Sequence, residues 1–243
     1  MKVYIIGMTS GTLLRDNGTM PGKASGSSFE ERYLDRGDLG YGQELIEFAG
    51  RLCYESFDLP NEKTKENSGY IRNIVSLGHE SVLEHASVTF YVEGVSRNLS
   101  HELIRHRHLS FSELSQRYVD MEEANFVVPP AYRSGLPSHL CPIGDYPSGL
   151  GPEGDPLTMY KEMTQQAEED GKTRKQSREA ARSYLPSGME TKFVVTGNLR
   201  AWRDVLKKRD SEHADAEMQL FAKEVKRQLL GEYPDVFRDL DAS

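Results

Sequence analysis

The chain has 243 residues, with 30 Lys and Arg against 38 Asp and Glu and a formal net charge of -8. That acidic balance, with a pI near 5.5, argues against a nucleic-acid partner, because a polyanion is normally met by a basic surface. No apolar run approaches the roughly 20 residues that cross a bilayer, and two cysteines, Cys53 and Cys141, offer neither a metal-binding spacing nor a disulfide framework, so a soluble protein of the reducing cytoplasm is expected, with no membrane partner.

A chain of this length buries roughly three quarters of its unfolded surface, and a single domain over 1–243 is expected. Residues 2–7 read as a strand, too short for a signal peptide. Residues 9–42 are glycine-rich and polar with little periodicity, and read as loop. Helices are expected over 44–55 and 68–77, where Leu45, Phe48 and Leu52, then Ile71, Ile74 and Val75, supply apolar faces. Residues 87–95 are β-branched and aromatic enough for a strand. Ser96 can then cap a helix, on which Leu99, Leu103 and His106 share one face and Glu102 and Arg105 another. After Leu109, the hydroxyls of Ser110, Ser112 and Ser115 compete for backbone bonds and predict a loop. An insertion crowded with glycine and proline spans about 133–156. Residues 157–185 read as helix with a weak point at Gly171 and a stop at Pro186. A strand over 191–196, a helix over 199–209 and a last helix over 212–230 follow, the last with Met218, Phe221, Val225 and Leu229 inward. No internal repeat is apparent.

The chemistry concentrates in residues 96–118, SRNLSHELIRHRHLSFSELSQRY, where Arg105-His106-Arg107-His108 is followed by hydroxyls, Ser115 and Arg117. Cations beside hydroxyls suit a phosphorylated ligand, since a guanidinium contacts two phosphate oxygens at once. A solvated basic face or an RNA-binding patch is the alternative, but Glu102 and Glu113 inside the cluster would repel a nucleic-acid backbone. Five of the seven histidines, His79, His85, His101, His106 and His108, raise the alternative of a metal hydrolase. His101 and His106 are five apart, a poor fit for one helical face, and no metal is expected. Gly149-Leu150-Gly151-Pro152-Glu153-Gly154 matches the dinucleotide fingerprint by letters but lacks a preceding strand, and Gly22-Lys23 lacks the glycine and hydroxyl of a phosphate-binding loop. On the 199–209 helix, Trp202, Val205 and Leu206 mark a buried stripe that Arg209 continues and Asn198 precedes. An inward arginine needs a partner, either an internal carboxylate or a ligand. Lys175, Arg178 and Arg182 form a basic stripe, for which solvated surface is the ordinary explanation.

RHRHLSFSELSQRY resembles the signature of flavin-dependent thymidylate synthases, an Arg-His-Arg followed by seven residues and a serine, here Arg105-His106-Arg107 through Ser115. The resemblance extends upstream through GHESVLEHASVTFYVEGVSRNLSHELI and downstream through SREAARSYLP and VVTGNLRAWRDVLKKRDSEHAD. It implies an α+β fold, an antiparallel sheet packed with long helices. It further implies conversion of dUMP to dTMP, with FAD as cofactor, 5,10-methylenetetrahydrofolate as one-carbon donor and NADPH as reductant, in a homotetramer with shared active sites. Carried over by position, dUMP would be met by Glu102, Leu103, Ile104 and Arg105, by Glu113, Leu114, Ser115, Gln116 and Arg117, and by Arg182 and Arg209. FAD would be met by Ser81, Arg105, His106, Arg107, Glu113, Asn198, Arg200 and Asp204, the last at a position that varies in the family. His79, Lys175 and Arg178 are candidates for folate or NADPH. Neither Cys53 nor Cys141 has the cationic setting that activates a thiol, and the resemblance implies a route without a cysteine nucleophile in which Arg209 is the catalytic group, polarising the uracil ring.

Overall fold

The computed structural model describes residues 1–9, 41–56, 61–136, 138–142 and 156–241. Strands β1 (Lys2–Met8), β2 (Ser87–Ser96), β6 (Glu190–Asn198) and β3 (Leu109–Glu113) form the main sheet in that spatial order. A two-stranded antiparallel ribbon, β4 (Asn125–Val127) with β5 (Leu140–Pro142), sets Phe126 opposite Cys141. The helices are α1 (Tyr41–Leu52), α2 (Asn67–Ser76), α3 (Arg97–Leu103), α4 (Pro156–Glu169), α5 (Arg174–Ala181), α6 (Leu199–Arg209), α7 (Ala216–Glu232) and α8 (Pro234–Phe237). This is the α+β class expected from the sequence, with an antiparallel sheet.

Burial with period two explains the central strands. Val88, Phe90 and Val92 of β2 are buried while Thr89, Tyr91 and Glu93 are half-buried, and β6 buries Thr191, Phe193 and Val195 in the same way.

The described chain divides into two compact units. The first comprises Met1–Tyr4, Phe90–Val195 and Glu212–Phe221. In it α4 packs on α5, and Met121, Tyr160, Ala181 and Met189 form a core against which Leu157, Met163 and Leu185 pack. The helical stretch expected over 157–185 is broken at Gly171, whose φ of 76° favours glycine. Thr173 then starts α5 with a capping box, its hydroxyl taking the Gln176 N–H while the Gln176 side chain takes the Thr173 N–H.

The second unit comprises Ile5–Thr89, Thr196–Ser211 and Ala222–Ser243. Here α1 packs on α2 and on a 3-10 segment, Glu80–His85, which also receives α6. Ile46, Ile71, Leu83, Trp202, Val205 and Leu206 are buried, and the Trp202 indole N–H donates to Val88 O at 3.1 Å. Of the inward residues expected on the last long helix, Val225 and Leu229 are buried here, and Met218 and Phe221 are buried in the first unit.

Several boundaries differ from expectation. α1 starts at Tyr41 and stops at Leu52, because the chain turns through Cys53 to a left-handed Glu55 with φ 47°. Cys53 is thus exposed in a turn rather than packed on a helix, and Cys141 lies on β5 rather than in a loop. Pro234 restarts the chain as α8 after the last long helix, proline being suited to a first helical turn. Residues 10–40 and 143–155, and with them Gly22-Lys23 and Gly149 to Gly154, lie outside the described residues.

Candidate active site

The segment from Ser96 to Tyr118 belongs to the first unit. The Ser96 hydroxyl accepts the Leu99 N–H at 3.2 Å, the cap expected from sequence, and also donates to Glu217 at 2.5 Å. α3 ends earlier than expected. The N–H groups of Arg105 and His106 turn back to Glu102 O and Leu103 O, tightening the last turn, so Arg105 to His108 form a turn and not a helical face. The predicted loop after Leu109 is instead β3, an edge strand. Leu109 is buried and Phe111 meets Phe193 edge-on at 6.1 Å, while Ser110 and Ser112 face outward. The serines do exclude helix, but their alternation with Leu109 and Phe111 is a strand pattern.

An open cavity of about 420 Å³ lies against this segment. Ile104, Glu113 and Gln116, all expected from sequence, line it together with Arg97, Ser100 and the 185–187 turn. Glu113 Oε1 accepts from the Ser100 hydroxyl at 2.8 Å and the Thr191 hydroxyl at 2.9 Å, and Arg97 Nη1 lies 3.3 Å away. Gln116 is 8% exposed, and its Nε2 is buried with no hydrogen-bond partner. Leaving such a donor unpaired costs about 1–3 kcal/mol, so it marks a place where a ligand acceptor is wanted. Arg105 and Arg107 are exposed, and His106 and Ser115 half-buried, outside the walls of this cavity. Arg117 lies over the Tyr118 ring, 5.6 Å from its centre.

The basic stripe resolves into separate roles. Arg178 is buried and donates to Tyr118 O at 2.7 Å and to Asp120 at 2.5 Å, so its guanidinium braces the chain after β3. Burial alone would raise the Asp120 carboxyl, but the Glu122 N–H and Arg178 outweigh it and hold it below its ordinary value. Lys175 is exposed above Tyr118, 5.4 Å from the ring centre, and Arg182 is exposed at the end of α5.

His79, Ser81, Asn198, Arg200, Asp204 and Arg209 belong to the second unit. His79 and Ser81 are exposed at the start of the 3-10 segment. Asn198 caps α6, accepting the Ala201 N–H at 2.8 Å. Arg200 pairs with Glu84 at 2.5 Å and Asp204 with Lys208 at 2.7 Å, while Arg209 is half-buried at the end of the helix. The fully buried arginine of α6 is Arg203, which sequence reasoning missed. It is 1% exposed and donates to Asp239 with both terminal nitrogens at 2.7 Å, to Glu80 at 3.1 Å and to Val236 O. The signal was present: Arg203 lies one residue after Trp202, beside the apolar stripe. Among the described residues no group of three His, Cys, Asp or Glu side chains could hold a metal ion.

Residues 39–235 match the family model described as thymidylate synthase complementing protein. Among similar curated proteins, flavin-dependent thymidylate synthases of Mycolicibacterium vanbaalenii and Mycobacterium marinum are 46% and 45% identical to this chain, covering 84% and 85% of it and 82% of their own length. The chain belongs to the flavin-dependent thymidylate synthase family. A crystal structure of thymidylate synthase X from Helicobacter pylori with FAD and dUMP superposes with a TM-score of 0.61 over 99% of each chain, at 20% identity, and shares the fold. Arg97, Ser100 and Thr191 were missed because helical and strand spacing says nothing about which carboxylate a buried hydroxyl will meet.

Proposed function

We propose that this protein is an FAD-dependent thymidylate synthase that converts dUMP to dTMP, with 5,10-methylenetetrahydrofolate as one-carbon donor and NADPH as reductant, in the cytoplasm. The observation that carries the reading is the cavity beside α3 and β3, where Glu113 offers an acceptor and the buried Gln116 Nε2 lacks one. A pyrimidine nucleotide, with carbonyls, a ring N–H and a phosphate, supplies the complementary groups. The 46% identity to proteins named for this activity supports the same reading.

In this reading Glu102 to Arg105 and Glu113 to Arg117 hold the nucleotide, with Arg182 on its phosphate. The α6 end suits an anionic dinucleotide such as FAD, because exposed Arg200 stands in the first turn of the helix, where backbone N–H groups favour negative charge. Its present partner Glu84 is 48% exposed, so that pair is easily exchanged for a ligand. Ser81, Asn198 and the Arg105 to Arg107 turn would complete the flavin contacts. His79 and Lys175 are the surface groups left for folate or reductant, whereas Arg178 serves them only through Tyr118 and Asp120.

Methylation at C5 requires that carbon to become nucleophilic. Arg209 would do this by stabilising negative charge on the uracil ring, an oriented donor of that kind being worth about 3 kcal/mol of barrier. Bound FAD, reduced at the expense of NADPH, supplies the hydride that completes the methyl group. This route uses no protein thiolate, and it is supported by the cavity, whose walls include neither Cys53, exposed in a turn, nor Cys141, on a short ribbon. The working assembly is a homotetramer whose copies share active sites. Incubating the protein with FAD, NADPH, dUMP and methylenetetrahydrofolate should yield dTMP and tetrahydrofolate, with each omission abolishing product. A colourless protein that makes no dTMP under these conditions refutes the assignment.

A further inference from the structure

The half-buried Glu113 carboxyl is held asymmetrically. Its Oε1 receives the Ser100 hydroxyl, the Thr191 hydroxyl and the approach of Arg97, whereas Oε2 has no hydrogen-bond partner among the described residues. The Ser100 hydroxyl also lies 3.1 Å from Arg97 O, but the Glu113 oxygen is closer, at 2.8 Å, and is the nearer acceptor of its hydrogen bond. Both hydroxyl residues are almost wholly buried, Ser100 at 4% and Thr191 at 1% exposure. They come from different elements, Ser100 from α3 and Thr191 from β6, so the carboxylate is gripped from two sides. The unpaired Gln116 Nε2 lines the same cavity and independently points to a ligand there.

We infer that Arg97, Ser100 and Thr191 are positioning residues: by loading one oxygen of Glu113 they fix its rotamer and turn the other oxygen to the cavity as a single, directed acceptor for an N–H or O–H of the nucleotide. This rests on the dUMP reading above and adds to it residues that act through Glu113. A carboxylate with both oxygens free would rotate and accept from water. One with a saturated oxygen has a defined direction, so ordering it costs little when the ligand arrives.

The test uses the full chain loaded with FAD. Ser100→Ala and Thr191→Val, singly and together, each remove one hydroxyl and leave Glu113 in place, and Thr191→Ser restores the donor. Uptake of dUMP is followed by the change it causes in the flavin absorption spectrum, and dTMP formation gives KM and kcat separately. The double variant should raise Kd and KM for dUMP roughly tenfold while kcat stays within about threefold, the pattern of lost binding that is equal in ground and transition states. Each single variant should fall between, and Thr191→Ser should remain near wild type. A folded double variant with unchanged KM overturns the inference, and so does a Thr191→Ser protein impaired as badly as Thr191→Val. If wild-type protein itself takes up FAD but no dUMP, the nucleotide reading fails and this inference with it. Normal wild-type uptake beside an unaffected double variant sinks the inference alone.

Discussion

Replacing Arg203 with methionine keeps most of the aliphatic stem and deletes the guanidinium, and the structure sets the size of the effect. The guanidinium is the hub of a network that joins α6 to the 3-10 segment through Glu80 and to the chain end through Asp239 and Val236 O. Removing one member of a wholly buried pair costs about 3–5 kcal/mol, mostly as the penalty on the charge left behind. Here the abandoned side chains reach water, Glu80 being 20% and Asp239 48% exposed, and Lys207 still holds Glu80 at 2.8 Å. The expected loss is therefore about 2–3 kcal/mol. For a chain of this size that lowers the thermal midpoint by roughly 4–12 °C. Differential scanning calorimetry reads the shift, with Lys207→Met as control, whose exposed ion pair should cost less than about 1 kcal/mol. Because Glu80 lies between His79 and Ser81, Arg203→Met should also weaken FAD binding, measured by equilibrium dialysis. A midpoint within about 2 °C of wild type would show that the buried network contributes little to stability.

Acid should dismantle the same network. The Lys207 hydrogen bond and the Arg203 charge outweigh burial at Glu80, and Arg203 acts directly on Asp239, so both carboxyls are held below their ordinary values. A depressed carboxylate contributes stability that is present above its unfolded pKa, near about 4, and is lost as pH falls through the folded value. Thermal midpoints of wild type should drop through this range, and those of Arg203→Met should drop less. Gly171→Ala forces a side chain onto a φ of 76° and should cost about 1 kcal/mol in urea unfolding, without changing the KM for dUMP. Arg117→Ala should raise the KM for dUMP while leaving the melting temperature nearly unchanged, because its guanidinium lies over the exposed Tyr118 ring and stacking at the surface contributes little to stability.

Much of this architecture was legible in the residues because local rules and tertiary packing agree. Ser96 caps a helix, Gly171 breaks one, and α6 runs from Leu199 to Arg209 as its spacing requires. The reading failed where periodicity is short. Leu109 to Glu113 carries only five residues of alternation, so its serines looked like loop until the neighbouring β6 supplied the sheet. Within the site, Ile104, Glu113 and Gln116 were picked by the motif and meet at one cavity. What holds Glu113 was invisible, because Ser100 and Thr191 are 91 residues apart in sequence and converge only through the fold. Likewise Arg209 drew attention as the charge continuing an apolar stripe, while the charge actually sealed inside is Arg203, paired with an Asp239 that no spacing rule connects to it.

In the proposed mechanism, uracil is activated by fixed positive charge rather than by a protein thiolate. The most direct measurement of this is dTMP formation by Cys53→Ala/Cys141→Ala protein, purified with FAD and supplied with NADPH, dUMP and methylenetetrahydrofolate. Turnover at least about half that of wild type is expected, with strict dependence on FAD, since a lost nucleophile would cost orders of magnitude. A folded, flavin-loaded double variant that makes no dTMP would contradict that mechanism.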